Sequence, residues 1–187
     1  MNPANKLTLL RIILTPLIIA ALLLAPVIPA YAPYAHWVAA MLFLIAAITD
    51  ILDGNYARKH NLVTDFGKLM DPIADKLLVA STLLMMAAYD RLGYPGLWPA
   101  VIILCREVLV SGLREFLAEI KVGLPVTHLA KWKTGIQMVS IPMLMVADYS
   151  PWFCYFGEAG EVLIWIAAVL TVITGYDYLR AGLKHLD

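Results

Sequence analysis

Four aspartates, one arginine and three small residues hold fixed positions between Asp50 and Asp75 of an otherwise apolar chain: D-x-x-D-G-x-x-A-R, eight residues, then G-x-x-x-D-x-x-x-D. The positions are Asp50, Asp53, Gly54, Ala57, Arg58, Gly67, Asp71 and Asp75. On helices, Asp50 and Asp53 share a face at i,i+3, and Asp71 and Asp75 share one at i,i+4. A helical hairpin between the two pairs brings the four carboxylates together. Four anions at one point repel one another, and apolar surroundings penalise ionisation further, so they persist as carboxylates only with compensating cations. Hard divalent ions with oxygen ligands meet that need. Mg²⁺ is typically held by one or two carboxylates and shared with substrate phosphates, and paired metals clamp the oxygens of an in-line displacement. The expected chemistry is phosphoryl transfer with two Mg²⁺ or Mn²⁺ ions on Asp50, Asp53, Asp71 and Asp75. Gly54, Ala57 and Gly67 clear room for a bulky ligand, and Arg58, one turn past Gly54, can fork onto a phosphate held there.

The elements that carry these residues belong in a membrane. The chain has 187 residues, of which 61% are hydrophobic and only 15% charged, which is too apolar for a soluble domain and too short for several. A single membrane domain over 1–187 is expected. Runs long enough to span, about 20 residues each, fall at 9 to 29, 35 to 57, 68 to 89, 96 to 118, 129 to 147 and 158 to 180. The fold class is therefore all-α integral membrane, with six transmembrane helices. The uncharged stretch after Arg11 exceeds the apolar region of a secretion signal, so the first span is read as retained. Asn5 to Arg11 precedes it, with apolar positions on one face and polar or basic ones on the other, and is expected to be a short interfacial helix. All fourteen Lys and Arg except Arg91 cluster at the termini or around the second and fourth loops. The positive-inside rule then places both termini and the aspartate hairpin on the cytoplasmic side. Asp50 and Asp53 sit roughly 8 to 12 Å from Arg58 at the end of the second span, so the site is at headgroup depth.

Several features are excluded or carry two readings. A zero formal net charge without a basic stripe disfavours nucleic acid. Cys105 and Cys154 lie far apart without metal or redox spacing, so a disulfide has no support. His36, in an outer turn rich in proline and aromatics, has no second ligand at metal spacing. Pro72 either opens the third span at its first turn or kinks the helix beside Asp71. In the fourth span Arg106 needs a buried partner, which the adjacent Glu107 is not expected to supply.

The whole spacing resembles the signature of the CDP-alcohol phosphotransferase family, integral membrane enzymes that displace CMP from a CDP-linked donor with an alcohol. The stretches R-E-V-L-V-S-G-L-R from Arg106 and A-K-W-K-T-G-I-Q from Ala130 are similar to its phosphatidylglycerophosphate synthase branch, with Ala130 where Gly is usual. The resemblance implies a CDP-diacylglycerol donor, an sn-glycerol 3-phosphate acceptor, a homodimer in the bacterial inner membrane, and Asp75 as the base that takes the acceptor's proton. It puts Asn5, Thr8 and Thr64 on the donor with Gly54, Ala57, Arg58 and Gly67. An interfacial cap accounts equally well for Asn5 and Thr8, and capping of the third helix for Thr64. A phosphorylated acceptor brings about two further negative charges, which assigns Arg106, Arg114, Lys131 and Lys133 to its phosphate. Their other reading is topology signal with snorkelling side chains. The rival functions are the same chemistry with phosphatidylglycerol, inositol phosphate or serine as acceptor, and a cation-coupled transporter, which predicts carboxylates near the midplane of a span.

Overall fold

The computed structural model describes the backbone of residues 3–59, 64–120, 122, 128–150 and 155–183, and the side chains of these except 3, 4, 51–59, 65, 68 and 128. Among the described residues there are six α-helices and two short 3-10 turns. The helices are α1 (Pro3–Val27), α2 (Ala32–Lys59), α3 (Asp65–Ala88), α4 (Gly93–Glu119), α5 (His128–Val146) and α6 (Phe156–Leu183), with the 3-10 turns at Pro29–Tyr31 and Ala147–Tyr149. Each expected span lies on one of the six helices. Among the described residues four segments are long and apolar enough to cross a membrane: Asn5–Val27, Pro29–Asp50, Gly93–Glu119 and Phe156–Leu183. The other two helices differ for a compositional reason. α3 carries Lys68, Asp71, Asp75 and Lys76 in its first half, and the 19-residue α5 carries Lys131 and Lys133 near its start. The chain is thus an all-helical, multi-pass membrane protein.

The separate interfacial helix expected over Asn5 to Arg11 is not observed. α1 runs unbroken from Pro3 to Val27. Proline in a first turn lacks only an N–H that would be unpaired there anyway, and nothing between Asn5 and Leu14 breaks a helix. Pro72 likewise lies inside a continuous α3.

The chain divides into two compact units, the first comprising residues 1–91 and 141–157, the second 92–140 and 158–187. In the first, α1 packs on both α2 and α3. The buried stripe of α1 is Asn5, Thr8, Arg11, Thr15, Ile18, Leu22 and Ala25, which is polar in its first half and apolar in its second. On α2 the buried stripe consists of Ala39, Ala40, Phe43, Ala46 and Ala47 and leads to Asp50; small side chains of this kind let membrane helices approach closely. On α3, Ala74, Leu78, Val79, Thr82, Leu83 and Met86 are buried. The far end of this unit is closed by His36, whose Nδ1–H donates to the Ala32 carbonyl (2.9 Å) and whose ring lies 4.8 Å from that of Tyr149. Arg91 there pairs with Asp148 and donates to the Tyr149 hydroxyl at 2.7 Å. His36 is a packed structural residue at this end.

In the second unit, α4 and α6 meet at two glycines. A Cβ on Gly175 would stand 3.0 Å from Arg106 Cγ, and one on Gly182 would stand 2.9 Å from Leu113 Cδ1. Cys105 is a free thiol on the exposed side of α4; Cys154 lies outside the described residues.

Candidate active site

The start of α1, the end of α2 and the start of α3 meet at one end of the first unit, and there the aspartates gather around polar residues of α1. The Arg11 guanidinium is wholly buried. It donates from Nη2 to Asp50 Oδ1 at 2.8 Å and from Nη1 to Asp75 Oδ1 at 2.5 Å. Thr8, one turn earlier, donates to Asp71 Oδ1 at 2.6 Å. Another turn back, Asn5 accepts from the Thr64 hydroxyl at 2.8 Å. Three α1 residues at i,i+3,i+6 thus address three parts of the hairpin. Each interaction is charge-assisted or mostly removed from water, which strengthens it relative to the same bond on an exposed surface.

Local sequence explains how α3 enters this cluster. Thr64 is in extended conformation and caps α3, its hydroxyl accepting from the Gly67 N–H at 3.1 Å while donating to Asn5. The capping role foreseen for Thr64 is therefore observed, and the same hydroxyl ties the cap to α1. Gly67 sits where a Cβ would meet Thr64 Oγ1 at 3.4 Å, Asn5 Oδ1 at 3.5 Å and Asp71 Oδ2 at 3.6 Å. A methyl group fits in ordinary contact there, and a longer side chain does not without displacing those three polar groups. Asp71 and Asp75 follow on one face of α3 at i,i+4.

Asp53, Gly54, Ala57 and Arg58 lie on the last turns of α2, and their side chains are outside the described residues. The donor set that is described is oxygen only and joins two helices, with Asp50 and Asp75 close enough to share one guanidinium. That is the donor chemistry of Mg²⁺ or Mn²⁺. Among the described residues no three His, Cys, Asp or Glu side chains gather closely enough to hold a metal ion.

The second unit holds the other predicted residues. Arg106 on α4 donates from Nη2 to Thr174 Oγ1 on α6 at 3.0 Å, and its guanidinium carbon lies 5.8 Å from the centre of the Tyr178 ring. It also reaches Glu107 Oε1 at 3.4 Å, contrary to the expectation that adjacent residues could not meet. Both side chains are long enough to bend around the helix surface. The same Glu107 oxygen binds Lys133 of α5. Lys133 is buried on one stripe with Gln137 and Ser140, whereas Lys131, two residues earlier and about 200° round the helix, is exposed beside Trp132. Arg114 is exposed on α4. The two lysines therefore face different sides of α5.

Two members of these clusters were not foreseen from sequence. Sequence reasoning puts Arg11 on an interfacial face because it is basic and near the terminus; the signal for its burial is the 3-3-4 spacing of Asn5, Thr8, Arg11 and Thr15, which continues into the apolar stripe. Adjacency to Arg106 argues against Glu107 as its partner, yet Glu107 links α4 to α5.

Residues 1–173 match the profile of the CDP-alcohol phosphatidyltransferase family. The chain is 45% identical over 184 residues to the CDP-diacylglycerol–glycerol-3-phosphate 3-phosphatidyltransferase of Rickettsia felis, covering 98% of this chain and 97% of that protein. It is 46% identical to the protein of the same name from Rickettsia prowazekii, over 96% of this chain and 94% of that one. With the Bacillus subtilis protein of that name the identity is 38%, over 99% and 97% of the two chains.

Proposed function

We propose that this chain, which belongs to the CDP-alcohol phosphatidyltransferase family, transfers the phosphatidyl group of CDP-diacylglycerol to sn-glycerol 3-phosphate, releasing CMP and forming phosphatidylglycerophosphate for phospholipid biosynthesis. The observation that carries this reading is the near-full-length similarity to bacterial enzymes of that name, in a chain whose α1, α2 and α3 gather Asp50, Asp71 and Asp75 at one end.

In the proposed mechanism Asp50, Asp53, Asp71 and Asp75 would hold two Mg²⁺ or Mn²⁺ ions. Such ions, when bound, supply charge neutralisation for a diphosphate and its departing nucleotide. Arg58 forks onto the donor phosphates, and Gly54, Ala57 and Gly67 leave room for the donor. Asn5, Thr8 and Thr64 line its nucleotide side; their hydroxyl and amide groups are supported in that role by their contact with the aspartate hairpin. Asp75 takes the proton of the acceptor's primary hydroxyl, the alkoxide oxygen forms a bond to the β-phosphorus of the donor, and the bond from that phosphorus to the CMP oxygen breaks. A base has to reach the attacking hydroxyl, and Asp75, held through one of its oxygens by Arg11, is supported as that base by its fixed orientation. The acceptor's phosphate is assigned to Arg106, Arg114, Lys131 and Lys133, since an uncharged alcohol has no use for such cations. Arg106 and Lys133 are the better supported, being inward-facing and sharing, among the described residues, the one carboxylate of Glu107.

The same proposal includes six membrane crossings, with α3 and α5 spanning alongside the four most apolar segments. It places both termini and the aspartates on the cytoplasmic face of the bacterial inner membrane, and it takes the active form to be a homodimer. Support comes from the distribution of Lys and Arg, from the bacterial origin of the relatives and from family membership. Cysteine labelling of loop positions in intact cells and light scattering of the detergent-solubilised protein test these parts.

The deciding experiment is an acceptor screen on purified protein with CDP-diacylglycerol, following CMP release. Release with glycerol 3-phosphate is expected. Release only with phosphatidylglycerol, inositol phosphate or serine would reassign the acceptor, and no release with any alcohol would remove the transferase reading.

A further inference from the structure

We infer that Arg11 is a positioning residue of the active site with two effects: its fork fixes Asp75 relative to Asp50, and its permanent charge lowers the affinity of the bare carboxylates for divalent ions, so that metal binding depends on the donor. The inference rests on the reading of Asp50 and Asp75 as metal ligands and of Asp75 as the base.

The first effect follows from geometry. One planar guanidinium reaches Asp50 Oδ1 and Asp75 Oδ1 at 2.8 and 2.5 Å, from two different nitrogens and to two different helices. The side chain is wholly buried, and Thr15 steadies the turn beneath it by donating to the Arg11 carbonyl at 3.0 Å. A planar fork with fixed donor directions sets the angle of both carboxylates; a lysine ammonium, a single point charge, does not.

The second effect follows from charge. The Arg11 guanidinium is a cation. A divalent ion on these two carboxylates stands within a few ångströms of that fixed cation, and the repulsion subtracts from its attraction to the aspartates. The balance is restored by a diphosphate, in keeping with the habit of Mg²⁺ to be held by a few carboxylates together with substrate phosphates. Metal and donor thereby bind as a coupled pair. Replacing Arg11 by a neutral residue removes both effects, so metal affinity rises while turnover falls. General loosening of the fold weakens both together.

The test uses the full-length protein in detergent, titrated with Mn²⁺ and followed by the loss of the free-ion paramagnetic resonance signal, with and without CDP. Wild type is compared with Arg11→Gln, Arg11→Lys and Asp50→Asn, and thermal melting checks that each is folded. Without CDP, Arg11→Gln is expected to bind Mn²⁺ about tenfold more tightly than wild type. Its kcat should fall by about 100-fold with KM for CDP-diacylglycerol little changed, the size of effect a misplaced catalytic group produces. Arg11→Lys retains the charge without the fork, so its Mn²⁺ affinity should stay near that of wild type while kcat falls. Unchanged or weaker Mn²⁺ binding in Arg11→Gln, or full turnover in Arg11→Lys, overturns the inference. If Arg11→Gln does not fold, Arg11→Lys decides: lost turnover with retained Mn²⁺ affinity supports the inference, and any other result overturns it. Wild type that binds no Mn²⁺, or Asp50→Asn that binds it as wild type does, removes the metal reading and the inference together. Binding that needs Asp50 but is indifferent to residue 11 removes the inference alone.

Discussion

The two charged clusters are opposites in sign. In the first unit one cation, Arg11, lies between two carboxylates, Asp50 and Asp75; in the second unit one carboxylate, Glu107, lies between two cations, Arg106 and Lys133. Counted over its three named residues, each triplet has one charge in excess, negative in the first and positive in the second. The proposed function sets the negative triplet to face a metal cation and the positive one a phosphate.

The largest expected effect breaks the negative side of this comparison. Asp50→Asn, Asp53→Asn, Asp71→Asn and Asp75→Asn should each lower CMP release by orders of magnitude, and excess EDTA should abolish it in the unmodified protein. Full turnover in EDTA would leave the carboxylates without a metal role. Next in size is the positive side. Loss of a charge-assisted hydrogen bond to phosphate costs about 1.5 to 3 kcal/mol, so Arg106→Ala and Lys133→Ala should each weaken glycerol 3-phosphate use by roughly 10- to 150-fold with CDP-diacylglycerol use largely intact. Arg114→Ala and Lys131→Ala test the same assignment at exposed positions. Steady-state kinetics with each substrate varied in turn separates the effects, and an acceptor dependence untouched in all four variants would return these cations to topology signals.

A smaller, steric effect sharpens the comparison by leaving every charge in place. Gly67→Leu should impair donor use by crowding Asn5, Thr64 and Asp71, whereas Gly67→Ala should be tolerated, since its Cβ meets only ordinary contacts. Arg58→Ala should raise the CDP-diacylglycerol requirement more than that for the acceptor. The smallest effect belongs to the pair of Arg91 and Asp148, of which Asp148 is 67% exposed. Asp148→Ala should change stability by no more than about 1 kcal/mol, as for other surface ion pairs, and leave turnover unaltered. A large loss of activity there would mean that charge matters in this protein irrespective of burial.

Much of this arrangement could be read from residue spacing. The six helices follow from apolar run lengths, and the aspartate pairs follow from i,i+3 and i,i+4 periodicity. Thr64 declared itself as a cap by standing immediately before α3. What escaped was the direction in which charged side chains turn. Arg11 near a terminus resembles a residue that greets lipid headgroups, because one-dimensional charge patterns record position along a helix and not the partners brought by other helices. Glu107 escaped for a related reason: helical-wheel geometry places backbones, while Arg, Lys and Glu carry their charges several ångströms from them. Hydropathy is lowered likewise in α3, where Lys68, Asp71, Asp75 and Lys76 set the helix apart from the four most apolar ones.

The split character of α1, polar toward its start and apolar after Thr15, imposes a schedule on synthesis. Arg11 emerges from the ribosome well before its partners, and Asp75 lies 64 residues further along the chain. Until α2 and α3 have followed, the guanidinium has neither carboxylate and α1 can rest only shallowly, with that end in contact with water or lipid phosphates. Arrival of the later helices draws it inward. Completion of this charged end and final seating of the first helix are therefore one event, and a chain that stalls before Asp75 should remain open to the cell's quality-control proteases.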